Sequence, residues 1–286
     1  MYALAWSPNG IELATGGKNG VIQPWTSKNK TLLTAEQRFG EAYGLAWSPA
    51  GTRLAFSGQD QTVYLWPTTT GEQTFAYRSR PSTGEVLALA WSPDGKYLAA
   101  GNNVGIGQVW DTTAHTLVAA YSNFSSEDEV TALAWSPDGK LLASASTDRT
   151  VHIWDILTGS PQLAYRGHQD EVWSVGWSPN GRYLASGSWD GTVQVWDPTT
   201  GRTRLTYRGH HAGVWAISWS PDGKYIASAS VDKTVQVWGA MTGKRLLTYR
   251  GHVSEVTKVS WSPDGKHIAS AGDGGVVQLW NATTGK

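Results

Sequence analysis

Apolar positions along this chain come in short runs, each closed by a turn rich in Gly, Pro, Asp or Thr. Residues 213–249 show the pattern most cleanly. Val214-Trp215-Ala216-Ile217-Ser218-Trp219 is dominated by β-branched and aromatic residues, as half-buried strands are. Ser220-Pro221-Asp222-Gly223 then supplies a fixed φ at Pro and a free one at Gly, which is turn chemistry. Tyr225 to Ser230 is a second run, Val235-Gln236-Val237-Trp238 a third, and Arg245 to Tyr249 a fourth. Connections as short as Asp232-Lys233 and Met241-Thr242-Gly243 oblige neighbouring strands to run antiparallel. The segment therefore predicts one four-stranded antiparallel sheet, its strands named a, b, c and d from first to last.

The same unit recurs from end to end. A Trp-Ser-Pro-x-Gly marker begins at Trp6, Trp47, Trp91, Trp135, Trp177, Trp219 and Trp261. A second Trp follows each marker, at Trp25, Trp66, Trp110, Trp154, Trp196, Trp238 and Trp280. A period of about 40–45 residues decides the fold before any other signal, because each unit is one supersecondary element that cannot bury itself alone. Small residues stand before the marker Trp (Ala5, Ala46, Ala90, Ala134, Gly176, Ser218, Ser260) and larger ones before those (Leu4, Leu45, Leu89, Leu133, Val175, Ile217, Val259). That alternation lets one sheet interlock with the next.

Gly167-His168, Asp190 and Trp196-Asp197 resemble the Gly-His, turn Asp and Trp-Asp signature of WD-repeat β-propellers. The resemblance covers essentially the whole chain. It implies an all-β, seven-bladed β-propeller of four-stranded antiparallel blades around a central channel. The chain then reads as a single domain, 1–286, with blades near 1–40, 41–81, 82–125, 126–166, 167–208, 209–250 and 251–286. The similarity of the last three blades resembles the recently duplicated propellers of bacterial multidomain proteins.

In the best-matching blades the resemblance implies a buried hydrogen-bond chain of structural residues: His168, Ser186, Asp190 and Trp196, and then His210, Ser228, Asp232 and Trp238. Ser188 and Ser230, two residues along the same strand face, are the competing serines. The last blade has His252 and Trp280, but its Asp273 comes one position early and Gly274 takes the expected site. Pro24 removes a ladder donor from strand c of the first blade, whose fourth strand is expected near Thr31 to Thr34. Ser126 replaces His in the fourth blade, which is entered through Glu127-Asp128-Glu129, a solvated loop or a contact for a basic partner.

Met1 aligns with the first residue of strand a, and the chain ends after the last strand c. The last blade is thus expected to lack its own outer strand. Its open edge is Val276, Val277, Gln278, Leu279 and Trp280, with part of the Trp280 ring left in water. Such an edge templates strand addition, from a flanking segment of a longer parent or from a second copy.

Composition narrows the function. Charges balance at 23 against 23, which argues against nucleic acid and against acidic membrane as partners. No apolar stretch spans a bilayer, no signal peptide opens the chain and Cys is absent, which together favour a cytoplasmic protein. There is no Cys nucleophile, no Gly-x-Ser-x-Gly elbow, no His-Glu-x-x-His and no phosphate loop. No enzyme, metal or cofactor is expected.

Binding has more support. The repeat uses fourteen of the 17 Trp, leaving Trp173, Trp189 and Trp215. By the resemblance, all three line the top face, built from the d–a and b–c connections, near the channel mouth. Tyr2 and Tyr43 are the aromatic equivalents of Trp173 in the first two blades. Such rings either anchor a partner or fill the mouth by packing on one another. Lys258 stands where every other blade has a small residue and is a candidate anchor for a partner carboxylate. The reading is a non-catalytic protein- or peptide-binding scaffold or sensor that uses its top face. The alternative is an assembly element joined through the open edge.

Overall fold

The computed structural model describes residues 2–18, 22–26, 41–68, 75–78, 84–122 and 128–286. Its strands form antiparallel sheets in chain order. The first holds β1 (Ala3–Trp6), β2 (Glu12–Gly16) and β3 (Ile22–Thr26). The second holds β4 (Ala42–Trp47), β5 (Arg53–Gly58), β6 (Thr62–Pro67) and β7 (Phe75–Arg78). β8 (Val86–Trp91), β9 (Tyr97–Asn102), β10 (Gly107–Asp111) and β11 (Thr116–Tyr121) make the third. β12 (Val130–Trp135), β13 (Leu141–Ser146), β14 (Val151–Asp155) and β15 (Pro161–Tyr165) make the fourth. β16 (Val172–Trp177), β17 (Leu184–Ser188), β18 (Val193–Trp196) and β19 (Thr203–Tyr207) follow. Then come β20 (Val214–Trp219), β21 (Tyr225–Ser230), β22 (Val235–Gly239) and β23 (Arg245–Tyr249). β24 (Val256–Trp261), β25 (His267–Gly272) and β26 (Val277–Asn281) close the series.

The chain divides into two compact units, Tyr2–Leu133 and Ala134–Lys286. Both are built by the same local devices. At the marker turn, the Ser220 hydroxyl donates to Asp222 Oδ1 at 2.6 Å and accepts from Tyr225 N at 2.9 Å, and Gly223 takes φ 69°. The marker indole reaches back to the preceding sheet. Trp219 Nε1 donates to the Gly176 carbonyl at 3.0 Å, and Trp47 and Trp91 donate to Ala5 and Ala46 at 3.2 and 3.1 Å. Small residues precede the marker Trp because this approach leaves no room for a branch. A Cβ on Gly176 would already stand 3.4 Å from the Trp219 ring.

The second Trp of each unit is the core anchor. Trp196 and Trp238 are fully buried. Each stacks on a Tyr from the outer strand of the preceding sheet: Tyr165 on Trp196 at 4.2 Å and Tyr207 on Trp238 at 4.3 Å between centroids. The packing unit thus runs from one outer strand through the three inner strands of the next sheet.

That unit overturns the expectation of seven four-stranded blades. Counting marker turns scores the β1–β3 sheet as a full repeat, although it lacks a preceding outer strand among the described residues. Counted as outer strand plus next three, the described chain gives β7–β10, β11–β14, β15–β18, β19–β22 and β23–β26. A sixth ends on β4–β6, so the chain carries six blades, not seven. The outer strand expected near Thr31 to Thr34, and Ser126 and Glu127, lie outside the described residues.

The expected exposure of Trp280 is also corrected, since only 2% of it is accessible. Tyr249 stacks on it at 4.5 Å, and its Nε1 donates to Ser270 Oγ at 3.1 Å. Among the described residues β26 has β25 as its one strand neighbour. What that edge leaves in water is Leu279, 52% exposed, and Val276 just ahead of the strand.

Candidate functional site

The site is assembled by an irregularity that recurs at the start of the first strand in several sheets. The β16–β17 register shifts between Val172 and Ser174, and the β20–β21 register between Val214 and Ala216. The residue skipped is Trp173 in one and Trp215 in the other. A bulge leaves its extra residue unpaired and re-aims its side chain. In the N-terminal unit, the β4–β5 shift between Ala42 and Gly44 does the same for Tyr43.

Trp189 arrives from the turn between β17 and β18. Its backbone N–H donates to the Glu171 carbonyl at 2.8 Å, tying that turn to the loop before β16. The three indoles meet. Trp215 makes steep edge contacts with Trp173, at 4.6 Å and 68°, and with Trp189, at 4.8 Å and 71°. All three keep accessible surface, and Trp189, 38% exposed, keeps the largest fraction. The rings therefore pack on one another and still present a face to solvent.

Two carboxylates accept from the indole N–H groups. Glu171 Oε2 accepts from Trp173 Nε1 at 3.0 Å, and Glu255 Oε2, from the loop before β24, accepts from Trp215 Nε1 at 3.2 Å. Sequence reasoning missed both. The legible signal is that Glu recurs just before strand a at Glu41, Glu85, Glu129, Glu171 and Glu255, with Gly213 as the exception. Gly213 is the room Trp189 needs, because a Cβ there would lie 2.6 Å from the indole.

The N-terminal unit has a lighter version. Tyr2 and Tyr43 meet at 5.3 Å, Tyr43 donates to Glu41 Oε2 at 3.2 Å, and Gln59 donates to the Tyr43 hydroxyl at 3.4 Å. Burial pushes the Tyr43 phenol up to about 12, with the Glu85 and Glu41 charges adding to the rise and the Gln59 hydrogen bond opposing it. Lys258 lies in β24. It is paired with Ala271 just past the bulge in β24, and it makes no ion pair or cation–π contact among the described residues. Burial holds its ammonium below the ordinary lysine range.

Beneath the indole group lie two buried polar chains. His168 Nδ1 is 2.9 Å from Asp190 Oδ2, and its Nε2 is 2.8 Å from Ser186 Oγ. The carboxylate can only accept, so Nδ1 donates to it and Nε2 accepts from the hydroxyl. Ser186 in turn accepts from Trp196 Nε1 at 3.2 Å. His210, Asp232, Ser228 and Trp238 repeat the arrangement at 2.8, 2.8 and 3.2 Å. Ser188 and Ser230 take a different task, each accepting from the N–H of its turn Asp. Burial alone would raise Asp190 and Asp232. Hydrogen bonds from the His ring and the neighbouring Thr outweigh it and hold both carboxyls well below the usual range. The Ser-His-Asp order imitates a nucleophile with its base, but Ser186 and Ser228 are wholly inaccessible and already accept from an indole. The chains clamp the loop before strand a to the b–c turn, and so fix the floor under the aromatic group.

The last blade keeps half of this. His252 Nε2 is 2.8 Å from Ser270 Oγ, but Gly274 offers no carboxylate, and burial pushes the ring below its ordinary value.

The family model described as "WD domain, G-beta repeat" matches the chain six times, at residues 30–67, 73–115, 116–155, 159–197, 201–239 and 243–281. Each match after the first follows the packing unit above, and residues before 30 are not included. A search of curated proteins returned no match.

Proposed function

The chain belongs to the WD-repeat family, generally one of protein-interaction scaffolds, and on that premise we propose that it binds a protein or peptide on the indole face of its C-terminal unit. The observation that carries this reading is the cluster of Trp173, Trp189 and Trp215, none of which the repeat requires. Large aromatics cost little conformational entropy when immobilised and dominate interface energetics. Two of these indoles are placed on bulges and the third against a glycine, which is positioning beyond the needs of a core. No catalytic role is assigned.

The test is capture of a partner from native lysate, comparing the wild type with Trp173→Ala, Trp215→Ala. Capture is expected to be lost while the melting profile stays cooperative. The same partner captured by both proteins would remove this face as the site.

A second reading places the contact on β26. Leu279 and Val276 are exposed along an edge that has no further strand among the described residues. A peptide copying Arg245 to Tyr249 should then raise the melting temperature, and no shift at high excess would remove that reading.

A further inference from the structure

We propose that the indole group takes a basic side chain, a guanidinium or an ammonium presented by a peptide. The inference rests on the partner-binding reading above and specifies its chemistry.

Three features converge. Aromatic faces carry negative potential and attract cations, Trp most strongly. A steep edge contact uses the rim of one ring and one face of its neighbour, so it leaves π surface free for a further contact. The carboxylates then fix the sign of the site. Glu171 and Glu255 each give one acceptor position to an indole N–H, and a carboxylate has about four. Neither has a cationic partner within ion-pair distance among the described residues. An apolar side chain seated here would bury unmet acceptors, which costs about 1–3 kcal/mol for each neutral group and more for a charged one. An acidic side chain would meet like charge. A cation satisfies both the carboxylates and the rings.

Gly213 shows that the third ring is built in. Where the other d–a loops carry Glu, this one carries Gly, and Trp189 occupies the space a Cβ would fill. The corner exchanges one carboxylate for an aromatic face while keeping the two acids that orient its neighbours.

The experiment follows the indole N–H signals of the full chain by proton–nitrogen correlation, assigned with Trp173→Phe, Trp189→Phe and Trp215→Phe. The probes are blocked tripeptides of Gly flanking Arg, Lys, Leu or Glu. Arg and Lys peptides should move the Trp173 and Trp215 signals saturably, and Leu and Glu peptides should not. Glu171→Gln with Glu255→Gln keeps the acceptors but removes the charge, and it should weaken the Arg peptide by about tenfold or more. A Leu peptide that binds in place of the basic ones would overturn the cationic chemistry and leave the face as a partner site. Arg affinity unchanged in the double Gln variant would also overturn it. If no probe moves the signals, the cationic chemistry falls. The Trp173→Ala, Trp215→Ala capture then decides separately whether the face is a partner site at all.

Discussion

The β20–β23 and β24–β26 sheets share much of their inner sequence and differ in what surrounds it. In the first, β22 is covered by β23, and Val237 is 2% exposed. In the second, the matching Leu279 is 52% exposed, because no strand lies outside β26 among the described residues. Yet the anchor Trp that directly follows this position is indifferent to it, with Trp238 at 0% and Trp280 at 2%. The Tyr that covers each one comes from the preceding sheet, Tyr207 for Trp238 and Tyr249 for Trp280. A sheet's own outer strand covers its middle apolar position. Its neighbour's outer strand covers its Trp.

The most severe test of that division truncates the two anchors. Trp238→Ala and Trp280→Ala should each cost roughly 3–5 kcal/mol in chemical denaturation, the range for a buried large aromatic. A loss at Trp280 of less than half that at Trp238 would show that the missing outer strand matters to the anchor after all. The middle position should behave oppositely. Val237→Ala removes two buried methyl groups and should cost about 2 kcal/mol, whereas Leu279→Ala should stay within about 0.5 kcal/mol.

A smaller effect concerns His252, which has Ser270 but no turn carboxylate. Gly274 does not have a positive φ, and a Cβ there meets only Ser254 Oγ at 3.3 Å. Gly274→Asp should therefore supply the carboxylate that His252 lacks and stabilise the blade by about 1 kcal/mol.

The pH dependence sharpens the same contrast. Burial depresses the His252 ring, and burial likewise depresses His152, with the Asp148 charge opposing. A depressed imidazole binds fewer protons folded than unfolded, so its contribution is complete above the ordinary value of about 6.5 and is lost as pH falls toward the folded value. Asp190 and Asp232 contribute above their ordinary value of about 3.9 and lose that contribution only as pH falls below it. Melting temperature should thus decline in two stages on acidification. Gly274→Asp should flatten the first stage in part, leaving His152, and leave the second in place.

Much of the fold was legible because the repeat writes each strand and turn several times over. Marker turns, small residues before the marker Trp and antiparallel order all follow from local chemistry that the Trp219 to Gly223 segment states in full. The blade count was not legible from markers, because the marker reports an a–b hairpin and the packing unit begins one strand earlier. Trp280 was misjudged for the same reason. At the candidate site, the three non-repeat Trp could be singled out by subtraction. The bulges that aim Trp173 and Trp215 have no residue signature of their own, and the glutamates look like ordinary solvated loop acids until an indole N–H is seen to point at them.

The most direct test is amide hydrogen exchange on the chain with its captured partner bound, read against the free chain. Binding on the indole face predicts new protection in the loops around Glu171 to Trp173, Trp189 to Gly191 and Gly213 to Trp215, with exchange along β26 unchanged. Protection confined to Val276 to Asn281 would contradict it and assign the contact to the uncovered edge.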